Sequence, residues 1–393
     1  MSDAPRHVAV VGAGALGGWT ALHLARRGCR VTLVDAWGPG HARASSGGET
    51  RVIRRGYGPR AHYVPLVTRA LELWRELEET SGARLLDARG VLWLVPTDGA
   101  FETESLPAIA AEGAPHEILQ RDDLARAYPA IRSDDLRWAM LEPDAGALFA
   151  RRGCEVVWDA VASLGGDVRI AHAAPPRIEG RRCGGVDLAD GGRVDADAVV
   201  FAGGPWMPRL FPDLFAERVT VTRQEVFSFG PPPGDRAHME LPVWAEHGSP
   251  FGGEPTFWYG IPGGLSRGFK LGEDTLGPEF DPEAGERRVD RDRLERARAY
   301  LAHRFPALEG APLVDSKVCQ YTQAPDGELV LDRHPDADDL WVLGAGSGHA
   351  YKLGPPMGEI AAGAVLGDEN ALTAAVRFAL TPAAARDGAT APS

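Results

Sequence analysis

The chain has 393 residues, 44% of them hydrophobic, enough to bury a sizeable core in two or three domains. A formal charge of −13 repels phosphate backbones on average, which argues against nucleic acid as a partner and still allows a local basic site for a small anion. The 48 glycines follow no fixed period, which excludes collagen-like packing; the four cysteines, Cys29, Cys154, Cys183 and Cys319, form no CxxC pair and imply no disulfide scaffold. This cysteine usage fits a reducing, cytoplasmic setting. The one early apolar run, Val8–Val11, is too short for a signal peptide, and no stretch approaches the length of a membrane span, so a soluble chain with no membrane partner is expected.

In chain order, His7–Val11 reads as a strand, a helix follows to about Arg27 with Gly28 as its stop, and Val31–Val34 is a second strand ending at Asp35. Between the first strand and the helix lies Gly12–Ala13–Gly14–Ala15–Leu16–Gly17, a GxGxxG sequence. Gly12 permits the tight turn, Gly14 lets backbone approach a pyrophosphate, and Gly17 lets the helix pack on the sheet. Asp35 is placed to accept hydrogen bonds from a ribose diol. Strand, glycine loop, helix and acid together predict a dinucleotide-binding βαβ unit, without choosing NAD or FAD.

Residues 38–60 are small and polar, with four arginines, Arg51, Arg54, Arg55 and Arg60, gathered among glycines in their second half. The stretch reads partly as loop, and its arginines fit either a solvated surface or an inward-facing anion site. Residues 62–82 form an amphipathic helix with Val64, Val67, Leu71, Trp74 and Leu77 on its apolar face, and RLLDARGVLWLVPT a strand pair. Residues 100–130 read as helical up to Pro129, EPDAGALFARR as a turn entering a strand, Cys154–Leu164 as a helix and Val168–Ala171 as a strand. A hairpin turns at Gly191–Gly192, and its last strand, Ala198–Ala202, ends in Gly203–Gly204, where backbone can approach a ligand. Residues 216–283 are largely strands, including Glu217–Thr220, Gln224–Phe229, Thr256–Tyr259 and Gly268–Leu271. Residues 288–305 are helical. Asp315–Thr322, Leu329–Leu331 and Asp339–Leu343 are strands, and the last helix ends near Leu366.

The predicted architecture is an α/β dinucleotide-binding domain of Rossmann-like type assembled from separated segments, with an inserted, mostly antiparallel α+β substrate domain. The cofactor domain takes residues 1–85, 145–215 and 320–380, the substrate domain 86–144 and 216–319, and 381–393 is a flexible tail.

Three stretches carry a more specific signal: SSGGETRVIRRGYG after the glycine loop, FKLGEDTLG around Lys270, and VCQYTQAPDGELVLDRHP with GAGSGHAYKLGP near the end. With them the chain resembles the monomeric sarcosine oxidase group of FAD-dependent amine oxidases, in the D-amino-acid oxidase superfamily, over roughly residues 6–375. The resemblance implies FAD joined covalently through its 8α-methyl to Cys319. Taken alone, Cys319 reads first as a small buried hydrophobe; the Gln320–Tyr321–Thr322 context turns the reading to the linkage, for which a thiolate is a suitable nucleophile.

It also places Lys270 over the flavin, where an ammonium promotes reduction of dioxygen, and Arg51 near the ring as a second catalytic cation. A strand lysine that snorkels to solvent fits the local pattern equally well. Arg54 and Lys352 match a carboxylate-binding pair, Tyr321 lines the substrate side, and Tyr259 or Trp258 joins it. The cofactor set further includes Ser45, Thr50, Pro175, Gly203, Gly346, Gly348 and His349; no metal ligand is expected. Arg55 and Arg60 find no match and are expected at the surface, and Cys29, Cys154 and Cys183 are structural.

Two features depart from the group. Its histidine pair is here Ser46 and Gly47, and its histidine four residues beyond the lysine is Asp274. An acid there disfavours a small N-methyl group and favours a polar or cationic one, so sarcosine itself is in doubt. The implied function is oxidation of a primary or secondary amino acid, N-methyl or cyclic, by dioxygen to an imine and hydrogen peroxide, by a chain compatible with a monomer. The alternatives are a flavin dehydrogenase that passes electrons to a carrier, a nicotinamide-dependent dehydrogenase, and a non-catalytic dinucleotide sensor.

Overall fold

The computed structural model describes residues 5–96, 99–248, 251, 256–263 and 267–380; the tail assigned to 381–393 lies outside them. The valines of His7–Val11 are almost fully buried because this strand is central. It pairs in parallel with Arg30–Asp35 on one side and Ala198–Phe201 on the other. Asp167–Ile170 and Leu340–Gly344 extend the sheet in parallel, and Val330–Arg333 closes it antiparallel, giving six strands. Both faces of this sheet are covered, which explains the near-continuous apolar runs: long helices lie on one, and the two-stranded hairpin Gly185–Asp187 with Arg193–Asp195 and the short helical turns around Met207, Phe211 and Phe215 lie on the other. Ala15–Arg26 packs against Gly354–Leu366 and Ala150–Ser163, so the first and last thirds of the chain share one core.

A second sheet of eight strands runs in the order Leu313–Gln323, Thr220–Phe229, Phe269–Glu273, Thr256–Pro262, Val243–Gly248, Val91–Val95, Trp138–Glu142 and Glu117–Gln120. Its pairings are antiparallel except Val243–Gly248 with Val91–Val95. The helix Arg291–Arg304 covers one face, where Trp244, Trp258, Phe269 and Leu271 form an apolar core with Tyr300. The other face carries the alternate residues of the same strands. A three-stranded sheet, Thr50–Ile53, Gly146–Phe149 and Leu86–Asp87, completes the architecture, with Arg51 opposite Leu148. These α/β layers agree with the predicted fold class.

Local readings failed where partners outside the segment decide. Thr50–Ile53 is a strand inside the stretch read partly as loop, with no strand expected there, because Gly146–Phe149 supplies its ladder. Glu117–Gln120 is an edge strand inside the stretch read as helix, recruited by Trp138–Glu142. Glu217–Thr220 and Gln224–Phe229 are not two strands: one strand starts at Thr220 and runs to Phe229. Leu313–Gln323 passes unbroken through the boundary placed before residue 320, so the eight-stranded sheet continues to Gln323.

Candidate active site

The end of the first strand forms a cradle that tolerates only glycine. Gly12 has φ +103°, and a Cβ there would lie 2.4 Å from the Ala202 carbonyl oxygen. A Cβ at Gly17 would lie 2.0 Å from Gly12 O, so this glycine sets the helix–strand approach rather than touching a ligand. Asp35 fixes the loop: Oδ2 accepts from Ala13 N at 2.8 Å, and Oδ1 from Trp37 N at 2.9 Å and Gly38 N at 3.0 Å. Ser46, at one of the departing positions, accepts from Ala15 N through Oγ at 3.1 Å.

These groups open on a cavity of about 320 Å³, within the range of small-molecule and cofactor sites, about 300–1,000 Å³. Gly12, Gly14, Asp35, Ser45, Pro175, Gly203 and Gly346 line it. Trp206 also lines it, with an indole N–H buried and without an acceptor. In the GGPW sequence only the glycines carry a local signal; the fold alone brings Trp206 to the cavity wall. A Gly12→Val exchange is expected to purify without bound cofactor and to lose about 1–3 kcal/mol of stability from the strained φ and the clash. Visible absorbance per polypeptide and thermal unfolding check this.

A second cavity, of about 130 Å³, adjoins the first; Arg51, Tyr321, Gly348 and Tyr351 line both. Its walls carry Thr50, Arg54, Tyr259, Lys270, Asp274, Cys319, His349 and Lys352. Strand alternation delivers them: Phe269 and Leu271 face the core, so Lys270 between them faces the cavity. Cys319 and Tyr321, two residues apart on Leu313–Gln323, share that side. Trp258 is the correction. It is 0% exposed and stacks on Tyr300 at 4.3 Å between ring centroids, on the core face, while its neighbour Tyr259 faces the cavity.

The cations are held closely. Lys270 Nζ donates to Thr50 O at 3.1 Å and Thr50 Oγ1 at 3.0 Å. Burial, reinforced by Arg51, lowers its pKa to about 7. Lys352 donates to His349 O at 3.1 Å, and burial with nearby Arg54 takes it well below the usual lysine value. His349 Nε2 lies 3.0 Å from Gly327 O, which can only accept, so Nδ1 accepts from Tyr57 Oη at 3.1 Å. Burial and Lys352 push this imidazole down to about 3, which keeps it neutral. Burial raises the Asp274 carboxyl, against the opposing pull of Arg54, Tyr321 and Lys352, and also raises the phenols of Tyr259 and Tyr321.

Arg54 lies with its guanidinium carbon 4.9 Å from the Tyr57 ring centroid, 5.1 Å from that of Trp93 and 5.7 Å from that of Phe257. Its Nη1 donates to Gly56 O, and among the described residues no carboxylate lies within ion-pair distance. Arg51 donates to Thr50 O at 2.8 Å and Ser45 O at 2.5 Å, and its Nη2 stands 3.6 Å from Cys319 Sγ. Arg55 is not at the surface: it is 4% exposed and bonds Asp144 through both terminal nitrogens at 2.7 and 2.9 Å. Arg60 is half-buried against the carbonyls of Asp326 and Gly327. Cys154 and Cys183 are buried, Cys29 half-buried, and all four cysteines are free.

A glycine cradle at the end of a central parallel strand, opening into a cation-walled chamber, defines the class of dinucleotide-binding α/β proteins. Over residues 7–364 the chain matches the DAO family, described as FAD dependent oxidoreductase, and it belongs to that family. It is 28% identical over 371 residues to a monomeric sarcosine oxidase of Bacillus sp. (strain B-0618), covering 90% of each chain. It is 28% identical over 358 residues to the N-methyl-L-tryptophan oxidase of Yersinia pestis (strain Pestoides F), covering 90% of this chain and 93% of that one. In structure it resembles the L-proline dehydrogenase of P. horikoshii, with a TM-score of 0.82, 18% identity, and coverage of 98% of this chain and 99% of that one.

The residues present fit FAD. The cavity at the end of the first strand is lined by Gly12, Gly14 and Asp35, Trp206 offers it a buried unpaired donor, and the two cavities join where one elongated ligand would pass from pyrophosphate to ring. No helix among the described residues is long and apolar enough to cross a membrane.

Proposed function

We propose that this chain is an oxidase of a primary or secondary amino acid, N-methyl or cyclic, giving an imine and hydrogen peroxide. The observation that carries the reading is Arg54: a guanidinium on the cavity wall, backed by three aromatic rings and lacking a carboxylate partner among the described residues, beside a buried Lys352. Such a pair receives a substrate carboxylate, with arginine making the bidentate contact. The names of the relatives, oxidases of sarcosine and of N-methyl-L-tryptophan, point to the same substrate class.

When bound, FAD would supply the two-electron acceptor for oxidation of the C–N bond, with dioxygen as the final acceptor. The chain supplies position and charge. Gly12 and Gly14 hold the pyrophosphate, Asp35 the ribose, and Ser45, Thr50, Pro175, Gly203, Gly346 and Gly348 frame the remainder. Cys319 provides the covalent anchor. Arg54 and Lys352 orient the α-carbon by its carboxylate, while Tyr259 and Tyr321, kept as phenols by burial, offer neutral hydrogen-bonding groups to the amine. The amine has to be uncharged for its lone pair to assist, and the surrounding cations disfavour an ammonium. Asp274 faces the same space and selects for a polar or cationic portion of the substrate. Lys270 and Arg51 hold positive charge where dioxygen and the cofactor ring gain electrons.

The test is a panel of amino acids and N-methyl amino acids, including large, cyclic and cationic ones, assayed for peroxide. The expected result is peroxide from at least one free acid and none from its methyl ester. Bleaching of the visible spectrum by an amino acid in air without peroxide would instead identify a dehydrogenase and overturn the oxidase reading.

A further inference from the structure

The EPDAG turn after Trp138–Glu142 is bound up with the arginine stretch. Glu142 is 0% exposed, and its carboxylate meets three N–H donors: Arg55 N at 2.6 Å, Gly56 N at 3.0 Å and Trp93 Nε1 at 2.8 Å. None of these is a cation. The Arg55 guanidinium is engaged by Asp144, and among the described residues no cation lies within ion-pair distance of Glu142, which acts on the buried Lys352 only through space. Burying a carboxylate without an ion-pair partner is costly, and charge-assisted bonds to fixed N–H groups offset that cost. What those three bonds hold is the support of Arg54. Two fix the backbone immediately after it, and the third fixes the indole under its guanidinium. The fit is close: a Cβ at Gly56 would come within 2.5 Å of the Trp93 ring.

We propose that Glu142 is a positioning residue for substrate recognition: it pins the Arg54–Gly56 turn and the Trp93 indole as one unit, and so aims the Arg54 guanidinium at the substrate carboxylate. This rests on the reading of Arg54 given above. Glutamine at this position keeps the shape and loses the chemistry. Its amide group would turn an N–H toward a backbone N–H, and one of the three donors would lose its acceptor. The turn has to shift, and Arg54 shifts with it. Aspartate keeps the charge and withdraws the oxygens by one methylene, which separates position from charge.

The experiment measures dissociation constants of flavin-loaded protein for acetate and benzoate against acetamide and benzamide, by perturbation of the visible spectrum. Wild type is expected to prefer the acids. In Glu142→Gln the acids are expected to weaken by about 10-fold or more, the scale of losing a charge-assisted contact, while the amides change by less than about 3-fold. Glu142→Asp is expected to lose part of the same preference, and it decides the matter if the glutamine variant does not fold. A merely structural role would weaken acids and amides alike and overturn the proposal, as would an unchanged preference in a folded variant. Wild type without any preference for acids would overturn the Arg54 reading first, and the proposal with it.

Discussion

Lys270→Met is expected to leave cofactor loading and anaerobic bleaching by substrate within a few-fold of wild type and to slow reoxidation by dioxygen about 10²–10³-fold, the scale of removing one preorganised electrostatic contact. Dioxygen acquires negative charge with its first electron, and a buried ammonium held by Thr50 stabilises that charge without having to reorganise. Methionine is similar in length and carries no charge, so packing is largely retained. The same residue sets a pH dependence. Burial lowers its pKa to about 7, so the ammonium is present below that value and is lost as pH rises through it. The wild-type oxygen step is therefore expected to slow as pH increases across 7, and the methionine variant to show no such limb. Stopped-flow reoxidation in aerated buffer measures both. Oxygen reactivity equal to wild type would remove Lys270 from this role.

Cys319→Ser is expected to release all of its yellow colour into the supernatant on acid precipitation, whereas wild type retains it on the polypeptide. The thiol stands 3.6 Å from Arg51 Nη2 and 3.8 Å from Ser45 O, on the cavity wall and without a disulfide partner. The buried Cys154 thiol is instead pushed up to about 12 by desolvation, which makes it a poor nucleophile. Colour released entirely from fully loaded wild type would refute the tether and leave the rest of the site reading intact.

How much of this could be read in advance differs from residue to residue. The Gly12–Gly17 unit was legible because its determinants are local: a turn needing positive φ, a helix start and an acid lie within 24 residues. Strand alternation puts the neighbours Trp258 and Tyr259 on opposite faces. It could not show which side is the core, because that depends on Tyr300 of a helix that starts more than 30 residues later. Arg55 looked like a surface residue because its partner, Asp144, lies 89 positions away. Glu142 carried no signal of its own; a glutamate before a proline is unremarkable until Trp93 and the turn after Arg54 are brought around it.

The sequence by itself determined the dinucleotide cradle, the family, and the chemical types present at Arg54, Lys270, Cys319 and Lys352, since glycine stereochemistry and short motifs are written in neighbouring residues. Only the tertiary structure decided which of the arginines line the cavity, which aromatic lines it with them, and that a buried carboxylate holds the turn after Arg54. Those are outcomes of burial and long-range pairing, in which the energy of a side chain depends on neighbours that sequence order does not place beside it.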